Sequence, residues 1–594
     1  MKNRLPDFAL ALGVALLAPL AVGMASVDFS APLQLRSDYL LHLFYVKTLW
    51  LYGSLAANPD LAFPGQGDFM AFPTPDIVEN WLIHALHLFT DNYFTALSVF
   101  VTLCFSTAAL SAYVALRVMT ATRWMAFCGA LTFGTCAFLC GRGLAHPYFC
   151  FVVVIPWVIG FCYLHFYQRA RLARPALQLK VWHGAVLGLA AASCGLYYAF
   201  FSAAFLVLTL LLLTVNRPRF AVFVPGLVAL GVLGATFAVW LAPHALYVFD
   251  NHIAFPQRNA FEQTLYGLRL PDLLLPDLPP FRSVYRHFAS LQDKVSDEGN
   301  FAVLGLWGMV GLVGGIGVCV AQAFRRKALR HVMRRALMIR LGAFYMTAAI
   351  LFALPYGVGL VFNLLVNATI RAQCRVSIFI LFMATLASVQ LLEAWRRARP
   401  APRLRAVFYG GTTLLLLLTL APTFQTMAEV QPRQTDAWTA KRDSIRTALR
   451  RLDERGLNAV AQLPAYYYPE GPTLPEFGNS DHLWPYLLDA SRERKWSFGA
   501  MAHHPQWKVL SVISQWPAEA FFPALRCEGF DAVMAEKKAL SADYVTRLQE
   551  RAAKLGGLVV LLDDPQRLVF DIARVPPDSA VCAEVSRLKR TAAQ

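Results

Sequence analysis

The chain has 594 residues, of which 57% are hydrophobic and 15% are charged, whereas a soluble domain carries roughly 25% charged residues. Its 54 basic and 37 acidic side chains give a net charge of +17. Because the basic excess lies in short segments beside apolar runs, retention of Lys and Arg in the cytoplasm explains it, and we reject nucleic-acid binding. The composition predicts a polytopic membrane protein.

Apolar runs of about 20 residues, long enough to cross a hydrocarbon core, recur along the first two-thirds of the chain. A basic segment, Met1 to Arg4, precedes the first run, which we interpret as an uncleaved helix rather than a signal peptide because many runs follow. About eleven spans are predicted, at 8–27, 93–116, 124–141, 147–166, 182–197, 199–215, 220–244, 301–323, 341–363, 375–393 and 405–423.

Basic clusters occupy every second connection between these spans. They are Arg117/Arg123, Arg169/Arg171/Arg174/Lys180, Arg217/Arg219, the block from Arg325 to Arg340, and Arg396/Arg397/Arg399/Arg403/Arg405. The positive-inside rule puts them in the cytoplasm together with the N-terminus. The alternate segments, at about 28–92, 142–146, 245–300, 364–374 and beyond 424, carry most of the acids and are predicted to lie outside.

The segment 424–594 differs in composition from the membrane domain at 1–423. Residues 439–455 have the pattern of an amphipathic helix, 458–464 and 558–563 that of buried strands, and 533–554 that of a mostly helical segment. About 170 residues suffice for one α/β domain with its own core. We therefore predict a C-terminal α/β domain in the periplasm.

The cysteines separate in the same way. Nine of the eleven lie in or beside predicted spans, where Cys is usually a small buried hydrophobe. Cys527 and Cys582 lie in the C-terminal domain, where a disulfide and two free thiols are both compatible with the sequence. No Cys/His spacing typical of a metal site appears, and the pair His503-His504 is interpreted as a surface pair.

The first outer segment contains the most informative acids. Asp38, His42 and Tyr45 share one helical face, and the apolar residues between them suit a helix that lies on the membrane surface. Asp38 is either a catalytic acid or a residue that favours the positive end of a helix dipole, and Ser37 is an alternative cap.

A loop rich in Gly and Pro follows this helix. Asp76 and Glu79 begin a further helix, where acids are common as caps. Asp68 has no such structural explanation, which makes it the more interesting acid of the loop.

An acid soon after the first span, a long first outer loop, many spans and an outside C-terminal domain together resemble the GT-C superfamily of integral-membrane glycosyltransferases. A poorly characterised bacterial branch is more similar still, through segments scattered over most of the chain: Pro64-Gly65-Gln66-Gly67-Asp68, Phe72-Pro73-Thr74-Pro75-Asp76, Arg142-Gly143-Leu144-Ala145-His146, Glu298-Gly299, Arg371-Ala372-Gln373-Cys374-Arg375, Ser377-Ile378-Phe379 and Lys495-Trp496-Ser497-Phe498-Gly499-Ala500-Met501. Many GT-C enzymes have two adjacent acids in the first loop, whereas Arg36-Ser37-Asp38 offers one.

The resemblance implies transfer of a sugar from a polyprenyl phosphate or diphosphate to an envelope glycan, lipid or protein at the outer face of the bacterial inner membrane. Asp38 is the expected general base, with Asp68 and Glu298 as further catalytic acids. Arg371 and Arg375 are expected to bind the donor phosphate, or else to snorkel to the interface.

Three other regions are candidates for substrate contacts. Arg142 and His146 are expected either to contact phosphate or to make ordinary loop contacts, since Pro147 interrupts their helical spacing. His42 and Asp76, with Arg282, Tyr285, Arg286 and His287 of the loop 245–300, are expected at the acceptor. The aromatic residues near Lys495–Met501, with Trp484 and Trp507, suit a core better than stacking on a sugar.

The expected partners are the lipid bilayer, the polyprenyl-phosphate-linked sugar and an unidentified acceptor. No cofactor is implied, although a divalent cation is compatible with the chemistry. The alternative functions are a transporter or flippase of a lipid-linked saccharide and a scaffold for the outer domain. A transporter is expected to have repeats or acids near the centre of spans, and neither is evident in the sequence.

Overall fold

The computed structural model describes residues 5–36, 38–72, 76–119, 121–169, 179–215, 220–253, 258–275, 282–290, 301–324, 333–366, 368–398, 401–469, 471, 477–552 and 555–593. Glu298 and the basic residues from Arg325 to Arg330 lie outside this part of the chain.

Among the described residues up to Leu420, the regular elements are helices, apart from a short antiparallel pair, β1 (Ala57–Asn58) and β2 (Gly67–Asp68). Its helices are α1 (Leu5–Ala21), α2 (Tyr39–Tyr52), α3 (Ile77–Leu86), α4 (Tyr93–Val118), α5 (Arg123–Gly134), α6 (Ala137–Ala145), α7 (Ile155–Arg169), α8 (Val181–Ser193), α9 (Leu196–Thr214), α10 (Val224–Asp250), α11 (Glu262–Tyr266), α12 (Leu270–Leu274), α13 (Arg282–Ser290), α14 (Gly305–Phe324), α15 (Met333–Ala353), α16 (Val358–Leu365), α17 (Ser377–Ala398) and α18 (Pro402–Leu420).

Each predicted span overlaps apolar helix, but the lengths vary. Among the described residues, six helical segments are long and apolar enough to cross a membrane, and a seventh span results if α15 and α16, bent by 56° from each other, are counted together. Four further apolar helices are shorter: Leu5–Ala21, Ile155–Phe166, Val181–Ser193 and Gly305–Ala321. The chain is therefore a multi-pass membrane protein, and the number of about eleven spans stays a prediction.

Ion pairs and backbone contacts identify the two ends of the helix bundle. The Asp7 carboxylate of α1 lies 2.8 Å from the Arg117 guanidinium and 3.0 Å from that of Arg123. We call the end of the bundle that contains these ion pairs the inner end. At the opposite, outer end, the backbone N–H of Gln425, after α18, donates to the carbonyl of Ala21 at 2.9 Å. α1 and α18 thus run in the same direction, as the alternation of basic loops predicts, and which end faces the cytoplasm stays a prediction.

Helix α2 differs from its expected position. Ten of its 14 residues are buried, and the helix packs between α4 and α20 (Leu483–Leu488) of the C-terminal region. The expectation that it lies on the membrane surface is wrong. The helix is apolar on most of its faces, and these faces are buried against the rest of the protein.

The C-terminal region begins with α19 (Thr426–Arg455), which starts well before the predicted residue 439. A five-stranded sheet follows in the order β4-β3-β5-β7-β6, with β3 parallel to β4 and β5, and β7 antiparallel to β5 and β6. Its elements are β3 (Ala459–Leu463), β4 (Lys495–Trp496), α21 (Pro505–Ile513), α22 (Ala518–Cys527), β5 (Ala532–Glu536), α23 (Ala542–Ala552), β6 (Val559–Asp563), β7 (Arg567–Asp571) and α24 (Ser579–Ala593).

One prediction for this region is wrong, because β6 is a partly exposed edge strand rather than a buried one. The segment 533–554 is mostly helical as predicted, with a 3₁₀ turn at Lys537–Ala539 and α23, although its first residues belong to β5. The buried strand β3 is confirmed. The core position of Trp484 and Trp496 is also confirmed. Cys527 and Cys582 are joined by a disulfide that links α22 to α24.

The first outer segment is fixed to the edge of this sheet. Trp496 N donates to Asp60 O at 2.8 Å, and Phe63 N donates to Trp496 O at 3.0 Å. The Lys495 ammonium lies 2.9 Å from the Asp60 carboxylate. The C-terminal sheet therefore holds the loop that carries Asp68 and leads into α3.

Candidate functional site

Asp38 stands at the start of α2 but does not cap it. Its side chain makes no capping hydrogen bond, and its Oδ2 lies 3.1 Å from Nδ1 of His146. The Asp38 side chain is 38% exposed, whereas that of His146 is 12% exposed. A carboxylate that is open to solvent on one side and fixed by an imidazole on the other is suited to accept a proton.

His42 supports this turn from inside the protein. Its Nδ1 donates to the carbonyl oxygen of Asp38 at 2.7 Å, and its ring lies 4.6 Å from that of Tyr148. Burial lowers the pKa of His42 to about 4. The imidazole is therefore neutral at pH 7 and orients the first turn of α2, as its spacing from Asp38 along a helix predicts.

Arg375 lies in a short 3₁₀ turn, Gln373–Val376, that leads into α17. Its guanidinium carbon is 4.2 Å from the ring centre of Phe149 and 4.3 Å from that of Tyr197, and the residue is only 7% exposed. Desolvated cation–π contacts of this kind contribute about 2 kcal/mol each. A guanidinium enclosed by two rings is fixed in orientation, unlike a side chain that snorkels toward water.

The rings connect Arg375 to Asp38. Phe149 lies 5.6 Å from the ring of His146, which faces the Asp38 carboxylate. We call Asp38, His146, Phe149, Tyr197 and Arg375 the outer cluster. Its residues lie directly before α2, directly after α6, in the 3₁₀ turn Pro147–Cys150, in the first turn of α9 and in the turn before α17, all at the outer end of the bundle.

The other two arginines expected at the phosphate have different surroundings. The Arg371 guanidinium lies 2.5 Å from the Glu262 carboxylate and over the ring of Tyr266, and its side chain is 28% exposed. Arg142, in the last turn of α6, is 1% exposed and packs over Phe138. Arg371 thus lies at the rim of the site and Arg142 inside the protein.

Asp76 and Glu79 are not the helix caps that the sequence suggests. Asp76 precedes α3 but makes no capping hydrogen bond, and Glu79 is fully buried with no hydrogen bond to its carboxylate oxygens among the described residues. A Cβ on Gly195 would lie 2.8 Å from Asp76 Oδ1, which places that oxygen beside the N-terminus of α9. Gly195 has φ 88°, a conformation that favours glycine.

Both of these carboxyl groups titrate abnormally. Burial raises the pKa of Asp76 to about 7, although the charge of Arg375 opposes the shift. Burial, and then the negative charge of Asp76, raise the pKa of Glu79 well above its usual range. These surroundings favour the neutral form of Glu79, and they bring the pKa of Asp76 close to neutral pH.

Asp68 lies in a separate environment. Its Oδ1 accepts a hydrogen bond from Met70 N at 3.0 Å, and Oδ2 accepts one from the Tyr247 hydroxyl. His504 is buried, and the charge of Asp68 acts on it. The expectation of a surface pair at His503-His504 is therefore wrong for His504. Its Nδ1 accepts a hydrogen bond from Met501 N at 3.1 Å.

The loop 245–300 contributes little to the outer cluster in the described part of the chain. Tyr285 is buried and donates to Asp272 Oδ1 at 2.9 Å, whereas Arg286 and His287 are exposed on α13. The side chain of Arg282, like Glu298, lies outside the described residues. Within those residues, no group of three or more His, Cys, Asp and Glu side chains could hold a metal ion.

Phe149, Tyr197 and Gly195 are site residues that the sequence did not identify. Aromatic residues at the ends of spans are typical of the interfacial belt, so nothing marked these two as ring contacts of an arginine. The double aromatic Tyr197-Tyr198, two residues after Gly195, is a visible signal, but its pattern predicts no more than a tight turn between two spans.

Comparison with solved structures identifies the fold. The arabinofuranosyltransferase AftD from Mycobacteria matches with a TM-score of 0.50 at 13% identity, over 96% of this chain and 42% of AftD. The chain has the GT-C fold. It spans about two fifths of the length of AftD.

Other solved structures match more loosely. ArnT from Cupriavidus metallidurans matches with a TM-score of 0.40 at 15% identity, over 96% of this chain and 99% of ArnT. The oligosaccharyltransferase of Archaeoglobus fulgidus matches with a TM-score of 0.42 at 14% identity, over 93% and 73% of the two chains. No family model and no curated protein matches the sequence.

Proposed function

We propose that the protein is a membrane glycosyltransferase that moves a sugar from a polyprenyl-phosphate-linked donor to an envelope glycan, lipid or protein. The reaction takes place at the outer face of the bacterial inner membrane, with the C-terminal domain in the periplasm. The observation that carries the proposal is the outer cluster, in which a half-exposed carboxylate and a buried arginine are joined through His146 and Phe149.

The cluster supplies the two groups that an inverting transfer needs. The acceptor hydroxyl attacks the anomeric carbon, its proton passes to Asp38, and the bond between that carbon and the phosphate oxygen breaks. The phosphate leaves with one more negative charge, which the guanidinium of Arg375 stabilises through two parallel N–H groups. His146, at 3.1 Å, holds the Asp38 carboxylate toward the site.

The remaining predicted residues have supporting roles in the proposal. Arg371, at the rim, attracts the phosphate as it enters, and the exposed Arg286 and His287 of α13 contact the acceptor. Asp68 has no step assigned to it, because both of its carboxylate oxygens already accept hydrogen bonds. The shared fold with AftD, an arabinofuranosyltransferase by name, supports transfer chemistry, and at 13% identity it does not indicate the sugar.

A genetic experiment tests this function even while the sugar is unidentified. Lipid and envelope extracts of a deletion strain are compared by mass spectrometry with those of strains complemented by wild type, Asp38→Asn or Asp91→Asn. Asp91 is a matched control, because it lies in the same outer segment and its side chain is 99% exposed.

Wild type and Asp91→Asn are expected to restore the missing sugar. Asp38→Asn is expected to leave the unused lipid-linked donor in the extract, at equal protein level. Restoration of the product by Asp38→Asn would refute the role of Asp38 as the base.

A further inference from the structure

Asp76 and Arg375 both lie beside the first turn of α9. Gly195, directly before the helix, allows the Asp76 carboxylate to approach, and Tyr197, in the first turn, stacks on the Arg375 guanidinium. Among the described residues no side chain or backbone group donates a hydrogen bond to the Asp76 carboxylate. The charge of Arg375 is the only favourable charge that acts on it in this part of the structure.

We propose that Asp76 is a displaceable counterion of Arg375. In the empty site its carboxylate balances the guanidinium, and when the phosphate of the donor takes over that role, Asp76 takes up one proton from solvent. The inference rests on the proposed function, since it requires a phosphate beside Arg375. It makes Asp76 a positioning residue that acts through Arg375 and couples donor binding to pH.

The groups that face Asp76 favour such an exchange. Among the described residues, Arg375 is the cation, Glu79 lies one turn along α3, and Tyr45, Tyr148 and Cys194 are further titratable neighbours. The N-terminus of α9 favours the ionised form of Asp76, while removal from solvent disfavours it. These opposing effects leave its pKa at about 7, so a small change in the surroundings changes its charge.

A bound phosphate provides that change. Its negative charge offsets the charge of Arg375 and repels the Asp76 carboxylate, so the pKa of Asp76 rises. Burial raises the pKa of Glu79 well above its usual range, which favours its protonated form. If the pKa of Asp76 rises from about 7 by one to two units, affinity for the phosphate falls about five- to tenfold between pH 6 and pH 8.

The test uses farnesyl methyl phosphodiester, a lipid probe whose single negative charge is constant over this pH range. Binding to the full-length protein in nanodiscs is measured by titration calorimetry at pH 6 and pH 8, in pairs of buffers with different ionisation enthalpies. The wild type is expected to bind about five- to tenfold more tightly at pH 6 and to take up about half a proton at pH 7.

Three variants separate the sources of this pH dependence. Asp76→Asn, which imitates the protonated acid, is expected to bind at pH 8 as tightly as the wild type does at pH 6, with no proton uptake. Glu79→Gln is expected to retain the wild-type slope. His146→Gln, which removes the imidazole beside Asp38, is also expected to retain it, and thermal melts confirm that each variant is folded.

The outcomes distinguish this inference from the function on which it rests. Binding that is independent of pH in the wild type, or a slope that Asp76→Asn retains and His146→Gln removes, overturns the role of Asp76 and leaves the phosphate site intact. Failure of the probe to bind at either pH overturns both the phosphate site and the inference.

Discussion

Arg375 offers the sharpest test of how the site binds phosphate. The change is Arg375→Ala, with Arg371→Ala as a matched control four residues away in the same segment. Arg375 is buried between Phe149 and Tyr197, whereas Arg371 is partly exposed and paired with Glu262. If the two arginines were interchangeable phosphate ligands, their removal would have similar effects.

The expected magnitude follows from the surroundings of each side chain. A hydrogen bond to a charged group contributes about 1.5–3 kcal/mol, and the enclosed position of Arg375 leaves little solvent to screen it. Arg375→Ala should therefore weaken phosphate binding about 10- to 150-fold. Arg371→Ala removes a partly exposed charge that is already paired, and a loss of about threefold or less is expected.

Arg375→Lys provides a second comparison. It retains the positive charge but loses the planar group that fits between two rings and presents two parallel donors. An intermediate loss is expected. If charge alone decided binding, Lys would restore wild-type affinity.

The assay is native mass spectrometry with farnesyl methyl phosphodiester, and farnesol serves as an uncharged control for binding of the lipid chain. All variants should bind farnesol alike. Phosphodiester affinity of Arg375→Ala within threefold of wild type, or a larger loss in Arg371→Ala, would refute the assignment of Arg375.

Two further predictions concern the backbone and the C-terminal domain. Gly195→Ala should lower the melting temperature and weaken phosphodiester binding, because the residue has φ 88° and its new Cβ would lie 2.8 Å from Asp76 Oδ1. Gly231→Ala is the control. Its new Cβ would have no atom within 4 Å, so it should change neither the melting temperature nor the binding. Cys527→Ser removes the disulfide to Cys582 and should destabilise the C-terminal domain by about 2–5 kcal/mol. Denaturant unfolding followed by tryptophan fluorescence measures this change. An unchanged midpoint would show that the disulfide is not formed in the native protein.

The membrane domain was largely predictable because two physical rules act on every loop and every span. The length of the apolar runs predicted a helix at each span. The alternation of basic loops assigned Asp7, Arg117 and Arg123 to one end of the bundle and Asp38, His146 and Arg375 to the other. These rules depend on composition over many residues and tolerate local exceptions.

The errors arose where tertiary contacts override local pattern. Ala532–Glu536 contains good helix formers, yet β3 and β7 pair with it on both sides and make it a central strand. Glu79 has the position of a first-turn acid, and only the packing of α3 on α4 shows that it is buried. Sequence spacing does not contain that information.

The site was partly predictable for the same reason. Asp38 and His42 were linked through helical spacing, which is local, and their contact is observed. The contact between Asp38 and His146, and the two rings around Arg375, join segments that are far apart in the chain. Their residue types were visible in the sequence, but their proximity was not.

The most direct measurement is a cryo-electron microscopy map of the full-length protein in nanodiscs with a polyprenyl phosphate. Density for the phosphate is expected within hydrogen-bonding distance of the Arg375 guanidinium, between Phe149 and Tyr197 on one side and Asp38 on the other. Phosphate density at the inner end of the bundle, or at the outer end away from Arg375, would contradict it.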